Sequence, residues 1–174
     1  MLARSYRLDT ARLIPGGFRC KQALLLAALI LSGCGGSGAP KVQWQRVTAG
    51  GYHFRAPQGW QVTGARDRTT VKDAHAFVQV ATFPLVHAYS DGLFDEVRSE
   101  LDTRMADVAR QSGGDVTEHR VVTVDGGRAH SYDVRVGKRT DRYTFVLRGK
   151  REFLLLCSAD AAVCDELAAS FAAG

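Results

Sequence analysis

The stretch that most narrows the fold runs from Thr117 to Cys157, where apolar side chains recur at every second position. Thr117–Val124, Arg128–Val136, Asp141–Arg148 and Glu152–Cys157 read as strands. Asp125-Gly126-Gly127, Gly137 to Thr140 and Gly149-Lys150-Arg151 separate them. Gly and Asp at these points supply the positive-φ residues that tight hairpin turns require, so the run predicts a four-strand antiparallel meander. Tyr143, Phe145 and Leu147 alternate with Arg142, Thr144 and Arg148, which predicts one buried face and one polar face. Phe153 to Leu156 is more continuously apolar and is expected to be central or covered on both sides.

Upstream, Val42–Val47 and Gly51–Arg55 read as short strands, Pro57-Gln58-Gly59 as a turn, and Ala76–Phe83 as a further strand limited by Pro84. Trp60 and Val62 resume the apolar alternation, while Arg66 to Asp73 is polar and reads as a hairpin region or irregular loop. The clearest helix follows. Ser90 or Asp91 is placed to cap it, Asp95 and Glu96 suit its positive end, and Gly113-Gly114 suits its exit. Leu93, Val97, Leu101, Met105 and Val108 form one apolar stripe that Phe94 widens. A second helix, from about Asp160 to Phe171, buries Val163, Leu167 and Phe171. The fold class expected is α+β: a twisted antiparallel sheet with a long central helix and a C-terminal helix packed on it.

The N-terminal part reads differently. Ala23–Leu31 is apolar but too short to span a bilayer, which takes about 20 residues. Behind Arg12, Arg19 and Lys21 it fits the core of a secretory signal. Leu31-Ser32-Gly33-Cys34 resembles the lipobox of bacterial lipoproteins, in which the cysteine is acylated and the chain is cut just before it. Asp9 in the basic flank departs from the usual pattern. The other reading, a buried helix with an inert cysteine, is opposed by Gly33, Gly35, Gly36 and Gly38, each costing a helix about 1 kcal/mol against Ala. The expected organisation is a cleaved signal over residues 1–33, the lipidated Cys34 with a Gly/Ser linker over 34–43, and a folded domain over 44–174. The expected location is extracytoplasmic, lipid-anchored to the cell membrane, or to the outer membrane of a cell that has one. Two or more acyl chains on Cys34 would hold stably where one holds only marginally.

This division reassigns charge and cysteines. The full chain carries 23 basic and 18 acidic residues, but five of the former and one of the latter lie in 1–33. The remainder is nearly neutral, so the basicity is no nucleic-acid signature, and nucleic acid is not an expected partner. Cys20 leaves with the signal and Cys34 carries lipid. Cys157 and Cys164 are then the only pair, and an oxidising compartment makes a disulfide the default. Their spacing is no thioredoxin-like CxxC, and two sulfurs without a nearby histidine make a poor zinc site.

A search for catalytic patterns finds no G-x-S-x-G elbow, no phosphate-binding glycine loop and no H-E-x-x-H. His53, His75, His87, His119 and His130 are scattered, and His119 beside Asp115 and Glu118 reads as a solvated strand start. No metal or cofactor is expected. Arg135, Lys138, Arg139, Arg142, Arg148, Lys150 and Arg151 are the one concentration of charge, at the polar side and tips of the meander. They read either as a solvated face interleaved with Asp133, Asp141 and Glu152, or as a docking surface for an acidic partner or anionic headgroups. Within that surface Arg135, Arg142, Arg148 and Arg151 are the candidate partner residues. Trp44 and Trp60 read as ligand-cleft or core residues, with core favoured for Trp60.

Gly51-Tyr52-His53-Phe54-Arg55-Ala56-Pro57-Gln58-Gly59-Trp60, Val124-Asp125-Gly126-Gly127-Arg128-Ala129 and the terminal Ala169-Ser170-Phe171 resemble segments of the PsbP-like superfamily. The resemblance covers nearly all of residues 44–174. It implies the same sheet with helices against it, and a role in binding and supporting partner proteins, because that is what characterised members mostly do. Its motifs mark turns and core positions, so it transfers no functional residues. The function expected is a non-catalytic interaction or accessory domain of the cell envelope, with an envelope protein as partner. The alternatives are a carrier or sensor of a small apolar ligand, and an enzyme with an unrecognised site.

Overall fold

The computed structural model describes residues 42–65 and 67–174. The signal segment, Cys34 and the linker through Lys41 lie outside the described residues.

Strands β1 (Trp44–Ala49) and β2 (Tyr52–Pro57) form a hairpin, and β2 pairs on its other side with the two-residue β10 (Ala172–Ala173). The main sheet has seven antiparallel strands, β3 (Gln61–Ala65), β4 (Arg68–Lys72), β5 (Phe77–Pro84), β6 (Asp115–Val124), β7 (Gly127–Val136), β8 (Arg139–Arg148) and β9 (Arg151–Ser158). Their order is β3-β4-β5-β9-β8-β7-β6, so β9 is the middle strand, as its continuous apolar run requires. The polar stretch near Arg68 is therefore a strand. Thr69 and Val71 turn inward while Arg68 and Lys72 stay out, a half-buried alternation that polar residues conceal in the sequence.

Helix α1 (Val97–Ser112) covers one face of the sheet and α2 (Ala161–Ser170) lies on the other, beside the small sheet. On the α1 face, Leu101, Met105 and Ala109 pack on Tyr132, Val134 and Phe145. On the opposite face, Val146, Phe153, Leu155 and Val80 pack against Tyr52, Phe54, Leu167 and Phe171. This corrects the expectation of one polar face: Thr144 and Val146 are buried beneath α2, so β8 is covered on both faces along its middle.

α1 also starts later than expected. Asp91–Leu93 is a separate 3-10 turn, Ser90 makes no side-chain cap, and Phe94 drops onto β7. Leu93 therefore falls outside the stripe and is partly exposed. At its other end Gly113 takes φ 67°, with Gly113 N–H donating to Arg110 O and Gly114 N–H to Ala109 O, the pairing of a Schellman stop. A Cβ on Gly114 would run into the Arg135 carbonyl and the Val136 methyl, so the second glycine is needed for close approach to β7. Asp160 caps α2 through Oδ1, which accepts from Val163 N–H at 2.9 Å.

Candidate functional site

The candidate surface is built from the β7–β8–β9 meander. Paired residues share a face, so Arg135, Arg142, Arg148 and Arg151 all point to the α2 side of the sheet. They do not form one patch. Arg142 and Arg148 stand six residues apart on β8, about 20 Å at strand rise, with buried Thr144 and Val146 between them.

The inner two are occupied within the fold. Arg142 donates from Nε to Asp133 Oδ1 at 3.0 Å and from Nη1 to Asp165 Oδ1 at 2.6 Å. Asp133 also accepts from Arg120 Nη2, and Arg120 Nη1 lies 2.7 Å from Glu118 Oε2. A chain of five charges thus links β6, β7, β8 and α2. Arg148 lies across the β6–β7 turn and donates to the carbonyls of Val124, Asp125 and Leu147. Its guanidinium fills the space a Cβ would need at Gly127, which accounts for the second glycine of Gly126-Gly127. Arg142 and Arg148 are thus structural cations. Among the described residues, no carboxylate lies within ion-pair distance of Arg135, Lys138, Lys150 or Arg151. Arg151 reaches only Gly50 O, at 3.4 Å. Arg135 and Lys138 lie at the end of the sheet where β1 begins, and Lys150 and Arg151 at the other.

Cys157 at the end of β9 and Cys164 in the first turn of α2 are joined as a disulfide, both buried, with Cα atoms 5.5 Å apart. It fixes α2 to the middle strand. Replacing Cys164 by Ala is expected to cost about 2–3 kcal/mol, since closing so short a loop removes only modest chain entropy. Denaturant unfolding with and without reductant measures it; equal midpoints for the two proteins without reductant would show that the bond is idle.

The five histidines do not remain scattered. His119 and His130 meet, with Nε2 of the former 3.0 Å from Nδ1 of the latter. His119 sits on the α1 face against the Tyr132 ring, while Glu118 turns to the other side. The reading of His119 as a solvated strand start is therefore wrong. The signal lay in the two-residue turn at Asp125-Gly126, whose register places His119 opposite Tyr132 and diagonal to His130. Tyr132 donates to Asp102 Oδ1 at 2.7 Å, and burial, with that bond next, pushes its phenol above the usual range. Among the described residues no group of three or more His, Cys, Asp or Glu is placed to hold a metal. Trp44 and Trp60 both pack against the core.

Two of the clefts formed by the described residues bear on the site. One, of about 460 Å³, is open to solvent at the β4–β5 turn and lined by Thr70, Lys72, His75 and Phe77 among others. The other, of about 200 Å³, lies between α2 and the sheet, with Ser131 and Thr144 on its lining and Arg120, Arg142 and Asp165 around it. It is smaller than the roughly 300–1,000 Å³ usual for ligand pockets.

No protein-family model matches the chain, and no curated protein matches its sequence. Solved structures do match. The solution structure of cyanobacterial PsbP (CyanoP) from Synechocystis sp. PCC 6803 superposes with a TM-score of 0.57 over 83% of this chain and 99% of that one, at 18% identity. The fold is PsbP-like. A crystal structure of a protein from Bacteroides thetaiotaomicron VPI-5482 matches with a TM-score of 0.50 and 12% identity, over 73% of this chain. The present chain spans about half of that one, 47%. Identities this low carry the PsbP-like fold and no residue roles.

Proposed function

We propose that this chain is an extracytoplasmic lipoprotein, anchored through Cys34, whose PsbP-like domain is a non-catalytic accessory or interaction module of the cell envelope. The observation that carries this reading is the way the domain uses its charge. Each sheet face carries a packed apolar cluster, and Arg120, Arg142 and Arg148 are tied to Asp133, Asp165 and backbone carbonyls. Chemistry is spent on cohesion, and among the described residues of the β7–β9 meander the cations without an ion-pair partner stand at the rims. Leu31-Ser32-Gly33-Cys34 supports the anchor.

The nine residues from Cys34 to Val42 span eight Cα steps and reach at most about 28 Å when extended. The chain enters the domain at Trp44, beside Pro57 and Trp60. Arg135 and Lys138 occupy that same end, where headgroups beneath an anchor would meet them. Lys150 and Arg151 occupy the opposite end, where an acidic patch on an envelope protein can reach them.

Two measurements test this. Cys34→Ala is expected to move the protein from the membrane to the soluble fraction; undiminished membrane association refutes the anchor. In-membrane crosslinking is expected to capture a discrete partner that Lys150→Glu with Arg151→Glu weakens by about tenfold, the order expected for two interface charges. Reproducible absence of a partner refutes the interaction role.

A further inference from the structure

The β6–β7 ribbon carries a feature that a docking role does not use. His130 is buried and both its ring nitrogens are engaged. The Phe94 carbonyl only accepts, so His130 Nε2 carries the proton and donates to it at 3.0 Å. His130 Nδ1 is then the acceptor, and His119 Nε2–H donates to it at 3.0 Å. The two neutral rings form a directed relay ending on the segment that leads into α1.

That segment is long and thinly held. Between β5 and α1, Leu85 N–H donates to Lys150 O and Tyr89 N–H to Gly149 O. Phe94 stacks on His130 with ring centres 4.0 Å apart, and the Arg128 guanidinium lies 3.8 Å from the Phe94 ring centre. Arg128 also reaches Asp95 at 3.3 Å. Val86 in the same segment is 89% exposed.

We propose that His119 and His130 form an acid-sensitive latch that holds the Phe94 segment, and with it the entry of α1, on β7, and releases it when both rings are protonated. One added proton is tolerated, because His119 keeps its Nε2–H bond while Nδ1 takes the charge. A second proton sets two N–H donors and two cations against each other at 3.0 Å.

Of the surrounding groups, only Asp102 favours a charged His119 ring. From α1, Arg98 adds positive charge and Asp102 is already shared by Arg98 and the Tyr132 hydroxyl. Arg104, further along α1, is held by Glu152. From β7 comes Arg128, and from the segment itself Asp95, bound to Arg128. On β6, Glu118 and Arg120 turn to the opposite face.

The His119 ring is held below the usual histidine range, chiefly by burial and then by Arg98 and His130. A ring freed by opening or unfolding takes its proton first as pH falls. The closed latch is therefore favoured above the ordinary histidine range and weakens as pH drops through the depressed one.

The test is amide hydrogen exchange on the full chain at about pH 7.5 and about pH 4.5, corrected for intrinsic exchange and read peptide by peptide. Residues 85–96 are expected to lose protection by about tenfold at the lower pH while β8 and β9 do not change. In His119→Gln that step should vanish, because the amide can donate to neutral His130 or, turned over, accept from the cation. Unchanged protection of 85–96 in the native protein, or an undiminished step in His119→Gln, overturns the latch. Ring ¹⁵N titration of the native protein checks it without a variant. The His119 ring is expected to take its proton below the ordinary histidine range, and a His119 step at the free-histidine value overturns it.

Discussion

Replacing Phe153 by Ala is expected to remove about 3–5 kcal/mol of stability, a large share of what a domain of this size has. Phe153 lies on the middle strand, fully buried, with its ring edge-on to Tyr52 at 5.9 Å and to Phe171 at 5.3 Å. Tyr52 belongs to the small sheet and Phe171 to the exit of α2. One ring therefore joins three separately formed parts, and no neighbour is free to collapse into its space. Phe153→Leu keeps much of the volume and should cost less than about 1.5 kcal/mol. Urea unfolding distinguishes the two. Similar midpoints for both variants would mean that the aromatic contacts add little to the burial.

Asp133→Ala should cost about 2–4 kcal/mol, through a different cause. Asp133 is buried and accepts from both Arg120 and Arg142, and it is the residue that connects α2 to the β6–β7 ribbon through charge. Without it Arg142, only 17% exposed, keeps Asp165 alone, whose own side chain is largely in water. The penalty is the desolvated guanidinium left underpaired, more than the lost attraction. Arg142→Ala in the Asp133→Ala background should then cost clearly less than in the native protein, and a double-mutant cycle reads the difference. Additive losses would show that the two side chains act independently.

The local pattern carried much of this architecture, and its failures have physical causes. The β6–β9 meander was legible because each turn holds glycine where positive φ is needed, at Gly126, Gly137 and Gly149. The middle place of β9 followed from its apolar run. The covered second face was not legible, because Arg142, Thr144 and Arg148 look like surface residues in one dimension. Only the approach of α2 and the position of Gly127 turn them into internal partners. β10 had no signal at all, since Ala172-Ala173 becomes a strand only because β2 offers an unpaired edge. The histidine pair sat between these cases. Its two members look unrelated along the chain, yet the turn at Asp125-Gly126 sets them side by side. The charge cluster was visible, but its division into two internal arginines and two separated rims required the packing.

The pairing of β10 with β2 sets the order in which the fold can be completed. Ala172 and Ala173 align with His53 and Tyr52, Gly174 N–H donates to Gly51 O at 2.7 Å, and Phe171 closes over Tyr52. A chain emerging amino end first therefore carries an unfinished first hairpin, with Tyr52 and Phe54 lacking their cover, until residues 171–174 arrive. The hairpins of β6 to β9, whose contacts are local, can form before that and the small sheet cannot. The small sheet is thus the last part of the domain to close, and Tyr52 and Phe54 stay uncovered until it does.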